Sequence, residues 1–193
     1  DYEPEVIDND GGKLLVRTNH GAPNYKIVLI DPANPAESNW KTLVPEKKEA
    51  LQGAGVAGGK LFLSYLENAS TKVYQYDYKG RQEHEVKLPG IGTAGGFGGK
   101  KEDRELFYTY TSFVTPPAVY KYDIGSGRSV LYNKAAVKFN PGSYVTKQVF
   151  FKSKDGASVP MFLSYKKGIR LNGSNPVLIY GYGGFNIPQT PGF

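Results

Sequence analysis

The residues best suited to chemistry lie near the end of the sequence, in the run Leu178-Ile-Tyr-Gly-Tyr-Gly-Gly-Phe-Asn186. Pro176, Val177, Leu178, Ile179 and Tyr180 make a continuous apolar segment, the pattern of a strand buried on both faces of a parallel or mixed sheet. Gly181, Gly183 and Gly184 then free the backbone for positive φ or for close approach of another segment. A glycine-rich turn just past a buried strand is where an α/β fold presents groups to a ligand. The alternative is a tight turn whose rings simply pack.

Other chemistries fail on residue type or spacing. The 193 residues include no cysteine, which excludes disulfides, thiol nucleophiles and thiolate metal sites. The two histidines, His20 and His84, are far apart in polar surroundings, so a histidine-rich metal centre is not expected and both read as surface residues. Gly90-Ile-Gly-Thr-Ala-Gly95 has the GxGxxG spacing but runs into Gly96-Phe-Gly-Gly-Lys-Lys101 and not into a helix whose N-terminus could hold a pyrophosphate. Ala94 and Lys101 stand where a Walker A loop needs Gly and Ser or Thr. No cofactor is expected. A Gly-x-Ser-x-Gly elbow is absent, and Gly125-Ser-Gly127 reads as a hairpin turn. Asn68-Ala-Ser70 and Asn172-Gly-Ser174 match the glycosylation triplet, a pattern common by chance.

The balance of 24 basic and 18 acidic residues gives a formal charge of +6. The basic doublets Lys47-Lys48, Lys100-Lys101 and Lys166-Lys167 are scattered beside turns, so neither nucleic acid nor membrane is an expected partner. No run approaches the roughly 18 apolar residues of a membrane-spanning helix, and Asp1-Tyr-Glu-Pro does not read as a signal peptide. A soluble protein of a bacterial periplasm or cytoplasm is expected.

The elements that must position the aromatic and glycine run are mostly short β-rich segments separated by Gly, Pro, Asn and Asp. Lys13–Thr18 precedes Tyr25–Ile30 and Trp40–Val44; Lys60–Tyr65 precedes Lys72–Asp77; Glu105–Tyr110 precedes Val119–Asp123. Ile27, Val73 and Val119 recur at an interval of 46 residues, and so do Asp31, Asp77 and Asp123. A repeat of roughly 40 to 50 residues with about four strands is the mark of a β-propeller blade. Small-residue segments such as Gly53–Ala57 and Gly92–Gly96 would be the inner strands, near the crowded axis. The repeated aspartate would cap the turn after the third strand through local backbone N–H groups. A three-blade array should leave apolar faces exposed at both ends. After Ala136–Ser143, the segments Val145–Phe151 and Val159–Tyr165 flank an Asp-Gly turn signal at Lys154–Ala157.

The run Tyr180–Phe185, with Pro160-Met-Phe before it and Asn186 after it, resembles the prolyl oligopeptidase family of serine peptidases. Ser153-Lys-Asp-Gly, Thr111–Pro116 and Ser38-Asn-Trp-Lys add to the likeness. The resemblance implies a mainly β chain. About three four-stranded blades of a seven-bladed propeller, residues 1–138, would lead into the first strands of an α/β-hydrolase domain, residues 139–193. It implies that Tyr182 gives its hydroxyl to an oxyanion hole, that Phe185 lines a proline pocket, and that Gly183 and Gly184 set the loop geometry. The family's Ser, Asp and His have no counterpart here, so this chain alone is expected to be inert. Implied partners are proline-containing oligopeptides and the remainder of the same protein. The alternatives are a non-catalytic propeller module binding peptides or proteins, and an oligopeptidase B-like enzyme cutting after basic residues.

Overall fold

The computed structural model describes residues 2–185 and 187–193, and strands dominate it. The first sheet is a meander of β1 (Glu5–Asp10), β2 (Lys13–Thr18), β3 (Lys26–Ile30) and β4 (Lys41–Val44). The second contains β5 (Ala50–Ala57), β6 (Lys60–Glu67), β7 (Ser70–Tyr76) and β8 (Gln82–Glu85). The third contains β9 (Thr93–Gly98), β10 (Glu105–Ser112), β11 (Thr115–Asp123) and β12 (Arg128–Lys134). Each is antiparallel with neighbours in chain order, so the 46-residue interval is the repeat of one blade. The fold is a partial β-propeller. The sequence pattern calls for about four strands per blade but marks no residue range for β1, β8 and β12, because they are polar or exposed. These outer and edge strands are held by ladder hydrogen bonds more than by burial.

The blades stack face to face through two cores. Leu15, Ile27, Leu43 and Val44 of the first sheet meet Leu51, Leu61, Leu63, Tyr65 and Tyr76 of the second. On the other side of the second sheet, Phe62 and Val73 meet Phe97, Leu106, Tyr108, Tyr110 and Tyr122 of the third. Strand alternation explains the division, since Leu61 and Leu63 point one way while Phe62 between them points the other. The central blade therefore has no dry face to spare. The β6 strand is bracketed by two two-residue turns, Gly58-Gly59 with φ of 58° and 67°, and Asn68-Ala69 with φ of 49° and 60°.

The inner strands converge as expected of small residues near an axis. A Cβ placed on Gly55 of β5 would lie 1.8 Å from the carbonyl oxygen of Phe97 in β9, so only glycine fits. Beside it, Gly99 N–H donates to the Val56 carbonyl at 2.8 Å and Gly58 N–H to the Lys100 carbonyl at 2.9 Å. Between the first two blades, the Arg17 guanidinium donates twice to the Leu51 carbonyl, at 2.8 and 3.2 Å.

The three repeated aspartates cap their turns. Asp31 Oδ1 accepts from Ala33 N–H, Asp77 Oδ1 from Lys79 and Arg81 N–H, all at 2.9 Å, and Asp123 Oδ1 from Ser126 N–H at 2.7 Å. These bonds stabilise the carboxylate form, and the Arg81 amide foremost holds the Asp77 carboxyl below its ordinary range.

The end faces differ. On the third blade Phe107, Val130, Leu131 and Tyr132 are exposed. On the first, Val16 and Val28 are buried on the face away from the second blade, although Val6 beside them is exposed. Exposure at both ends is thus only partly met, since Val16 and Val28 in the central strands of the first blade are buried.

Beyond the blades, β13 (Tyr144–Lys152) and β14 (Ser158–Lys166) form an antiparallel hairpin across the expected turn. Residues 176–180 depart from expectation. They form no strand, and Leu178 and Ile179 are 96% and 87% exposed. A parallel strand is buried by neighbours on its edges and cover on its faces. Among the described residues none pairs with this segment.

Candidate substrate-facing site

The aromatic and glycine loop lies against one rim of the blades. Tyr182, Gly183, Gly184 and Phe185, followed by Ile187 and Pro188, form one wall of a groove of about 510 Å³. Asn24, Ala50, Gln52 and Leu66 from the first two blades form the other. The four sequence-predicted site residues, adjacent in the chain, all line this groove, opposite blade residues that the sequence does not single out. Asn186 lies outside the described residues, as does Asp1.

The loop is tied at both sides of the groove. Ile187 N–H donates to the Gly184 carbonyl at 3.1 Å, closing a turn, and Thr93 Oγ1 of β9 donates to the Pro191 carbonyl at 2.7 Å. Phe193 meets Phe139 edge-on at 5.2 Å between centroids. On the opposite wall Asn24 is held by three bonds. Its N–H reaches Glu46 Oε1 at 2.5 Å, and its Nδ2 reaches the carbonyls of Lys47 and Lys48 at 3.2 and 3.1 Å.

Glycine does not play the role expected of it here. Positive φ falls on Phe185, at 51°, and not on Gly181, Gly183 or Gly184. A Cβ on Gly181 or Gly183 would meet nothing within 4 Å, because the groove is open and nothing presses on the backbone. Tyr182 is half exposed, and among the described residues its hydroxyl has no hydrogen-bond partner. Phe185 is 90% exposed. A half-exposed O–H donor and an open apolar ring thus stand three positions apart on one wall.

Neither histidine lies in this groove. His20 pairs with Glu37 at 2.9 Å and packs edge-on against Tyr2 and Trp40. His84 is not the surface residue expected. It is half-buried between the second and third blades, with Nε2 2.6 Å from the Tyr122 hydroxyl. Tyr122 donates to Gln75 Oε1 at 2.9 Å, and Gln75 Nε2 donates to Glu83 Oε2 at 2.8 Å. Glu83 is paired in turn with Lys60. The available signal was a glutamine in the aromatic and β-branched run of β7, since a buried amide needs partners. Among the described residues no cluster of three His, Cys, Asp or Glu could hold a metal, and no helix is long and apolar enough to cross a membrane.

A propeller sector whose rim carries an aromatic and glycine loop defines the class of the protein. Residues 1–135 match the family model for the prolyl oligopeptidase N-terminal β-propeller domain. The prolyl endopeptidase of Elizabethkingia miricola is 44% identical over 97% of this chain, which covers 26% of that protein. The prolyl endopeptidase of Elizabethkingia meningoseptica is 43% identical over the whole chain, covering 27% of its own length. A structure from a study of two prolyl endopeptidases and their inter-domain dynamics superposes with a TM-score of 0.88 at 38% identity, covering 100% of this chain and 28% of that one. Prolyl oligopeptidase B of Galerina marginata, bound to a 35mer hydrolysis and macrocyclization substrate, superposes with a TM-score of 0.85 at 26% identity, over 100% of this chain and 27% of that one. The chain belongs to the prolyl oligopeptidase family, and it spans about a quarter of the length of the curated relatives it matches.

Proposed function

We propose that this chain is a sector of a serine peptidase that cuts short peptides on the carboxyl side of proline. Residues 1–138 are the last three blades of a seven-bladed propeller, and residues 139–193 begin an α/β-hydrolase peptidase domain. The observation that carries this reading is 43% identity to a prolyl endopeptidase over the entire chain, because that likeness runs past the family-matched 1–135 and through the Tyr182 loop. The nucleophile, its base and the orienting acid belong to the remainder of the protein.

The groove geometry supports a division of labour. When a serine adds to a peptide carbonyl, the oxygen becomes an oxyanion that needs preorganised donors. The half-exposed Tyr182 hydroxyl is one such donor. The Phe185 ring offers a flat apolar surface to a proline side chain, which is rigid and has little entropy to lose. Asn24, Ala50 and Gln52 close the groove from the propeller side. The propeller acts sterically, admitting short peptides and excluding folded proteins.

The test is a fluorogenic proline-containing peptide given to the full-length protein. Tyr182→Phe should lower kcat about 100- to 1,000-fold, the effect of losing one oxyanion donor, with KM nearly unchanged. An unchanged rate removes Tyr182 from the mechanism. The 193-residue chain alone should give no turnover, and turnover by it would overturn the assignment of the catalytic triad to the rest of the protein.

A further inference from the structure

The link between the first two blades carries a lysine that is held by aromatic rings. Lys47 Nζ lies 4.7 Å from the ring centroid of Tyr65, 4.7 Å from that of Tyr74 and 5.5 Å from that of Tyr76. It donates to the Tyr76 hydroxyl at 2.8 Å and to Gln82 Oε1 at 3.3 Å. Among the described residues no ion pair includes Lys47, so rings and neutral oxygens alone hold this cation. Tyr65 and Tyr74 meet edge-on at 5.9 Å, and Tyr65 and Tyr76 are each only 3% exposed. Burial pushes the Tyr65 phenol well above its ordinary value, so the ring contributes a neutral π face and not a phenolate.

We infer that the rings of Tyr65 and Tyr74, with the hydroxyl of Tyr76 as acceptor, form a binding site for an alkylammonium group, filled in cis by Lys47. Ring faces attract a cation through their quadrupoles, and a cage without carboxylates favours a weakly hydrated organic ammonium over a metal ion. Occupancy reaches the candidate groove. The carbonyls of Lys47 and Lys48 hold the Asn24 amide, and the same segment runs on into Ala50 and Gln52 of the propeller wall. The filled cage thereby pins one side of the groove, and withdrawal of Lys47 opens a site for an external alkylammonium.

The experiment uses full-length protein carrying Lys47→Ala, titrated with n-butylammonium by calorimetry. Binding should be at least about tenfold tighter than to the unsubstituted protein, whose cage is filled. Adding Tyr74→Leu should abolish it, and n-butanol, of similar shape without charge, should not bind. Affinity no greater than that of the unsubstituted protein, retention after Tyr74→Leu, or equal binding of n-butanol would each overturn the inference. Lys47→Met decides the matter independently if the alanine variant does not fold. It fills the cage without charge, so it should lower the thermal midpoint, and an unchanged midpoint would show that the cage does not hold a cation as such.

Discussion

Gly55 offers the sharpest check on how the blades meet. Replacing it with alanine places a methyl carbon 1.8 Å from the Phe97 carbonyl oxygen, an overlap with backbone that no rotamer relieves. The inner strands must separate, which puts at risk the Gly99-to-Val56 and Gly58-to-Lys100 hydrogen bonds between the blades. Two such bonds are worth about 1 kcal/mol each, and overpacking adds about 1–3 kcal/mol, giving about 3–5 kcal/mol in all. With a urea dependence of about 2 kcal/mol/M, the unfolding midpoint followed by circular dichroism should fall by about 1.5–2.5 M. Gly53, two residues earlier in β5, is the control. A Cβ there meets nothing within 4 Å, so Gly53→Ala should be neutral or stabilise by about 0.5 kcal/mol. If both variants shift the midpoint equally, the argument that the inner strands touch at Gly55 is wrong.

Phe185→Ala in the full-length protein should reduce kcat/KM for a proline substrate about 10- to 100-fold more than for its alanine counterpart; equal losses would deny the ring a role in specificity. Asp77→Ala should destabilise at neutral pH, since its folded carboxyl is held below the unfolded value. That contribution is present above the ordinary Asp range near pH 4 and is lost as the pH falls through the lower folded value. Thermal midpoints of the two proteins should therefore converge in acid, and a constant gap would refute the capping role. Gln75→Leu should cost about 1–3 kcal/mol in chemical denaturation, because it removes one partner of the buried Tyr122 hydroxyl, leaving only His84, and one partner of Glu83; an unchanged midpoint would deny the buried amide a structural role. Ala69→Gly should stabilise by about 1 kcal/mol, because Ala69 sits at φ 60°.

Where the sequence was readable, it was because one physical constraint dominated. Strands β2, β3, β6, β7, β10 and β11 bury side chains against a neighbouring blade, so their apolar residues stand out, and the capping aspartates recur because each third strand ends in the same turn. The polar β8, Gln82–Glu85, gave no such pattern because its pairing is through the backbone. Residues 176–180 misled for the converse reason. Their apolar run has the pattern of a covered strand, but among the described residues nothing pairs with it or covers it. At the candidate groove, residue type and the family resemblance single out Tyr182 and Phe185, both of which line it. Nothing in the sequence singles out Asn24 and Gln52, since they reach the groove only through the stacking of the first two blades.

The doubly covered β6 strand has a further consequence. A half-exposed strand is kept in register by polarity, since slipping by one residue would turn its apolar side chains to water. Leu61, Phe62 and Leu63 are all fully buried, so over this part of β6 slippage would exchange one apolar side chain for another, and polarity resists it only where Lys60 and Ser64 would enter the core. Alignment is reinforced at the chain's own corners. The Gly58-Gly59 and Asn68-Ala69 turns, each with two positive-φ residues, fix Ala57 opposite Lys60 and Glu67 opposite Ser70, clamping the strand from both ends. In this blade part of the information that keeps the core in phase is carried by four turn residues outside it.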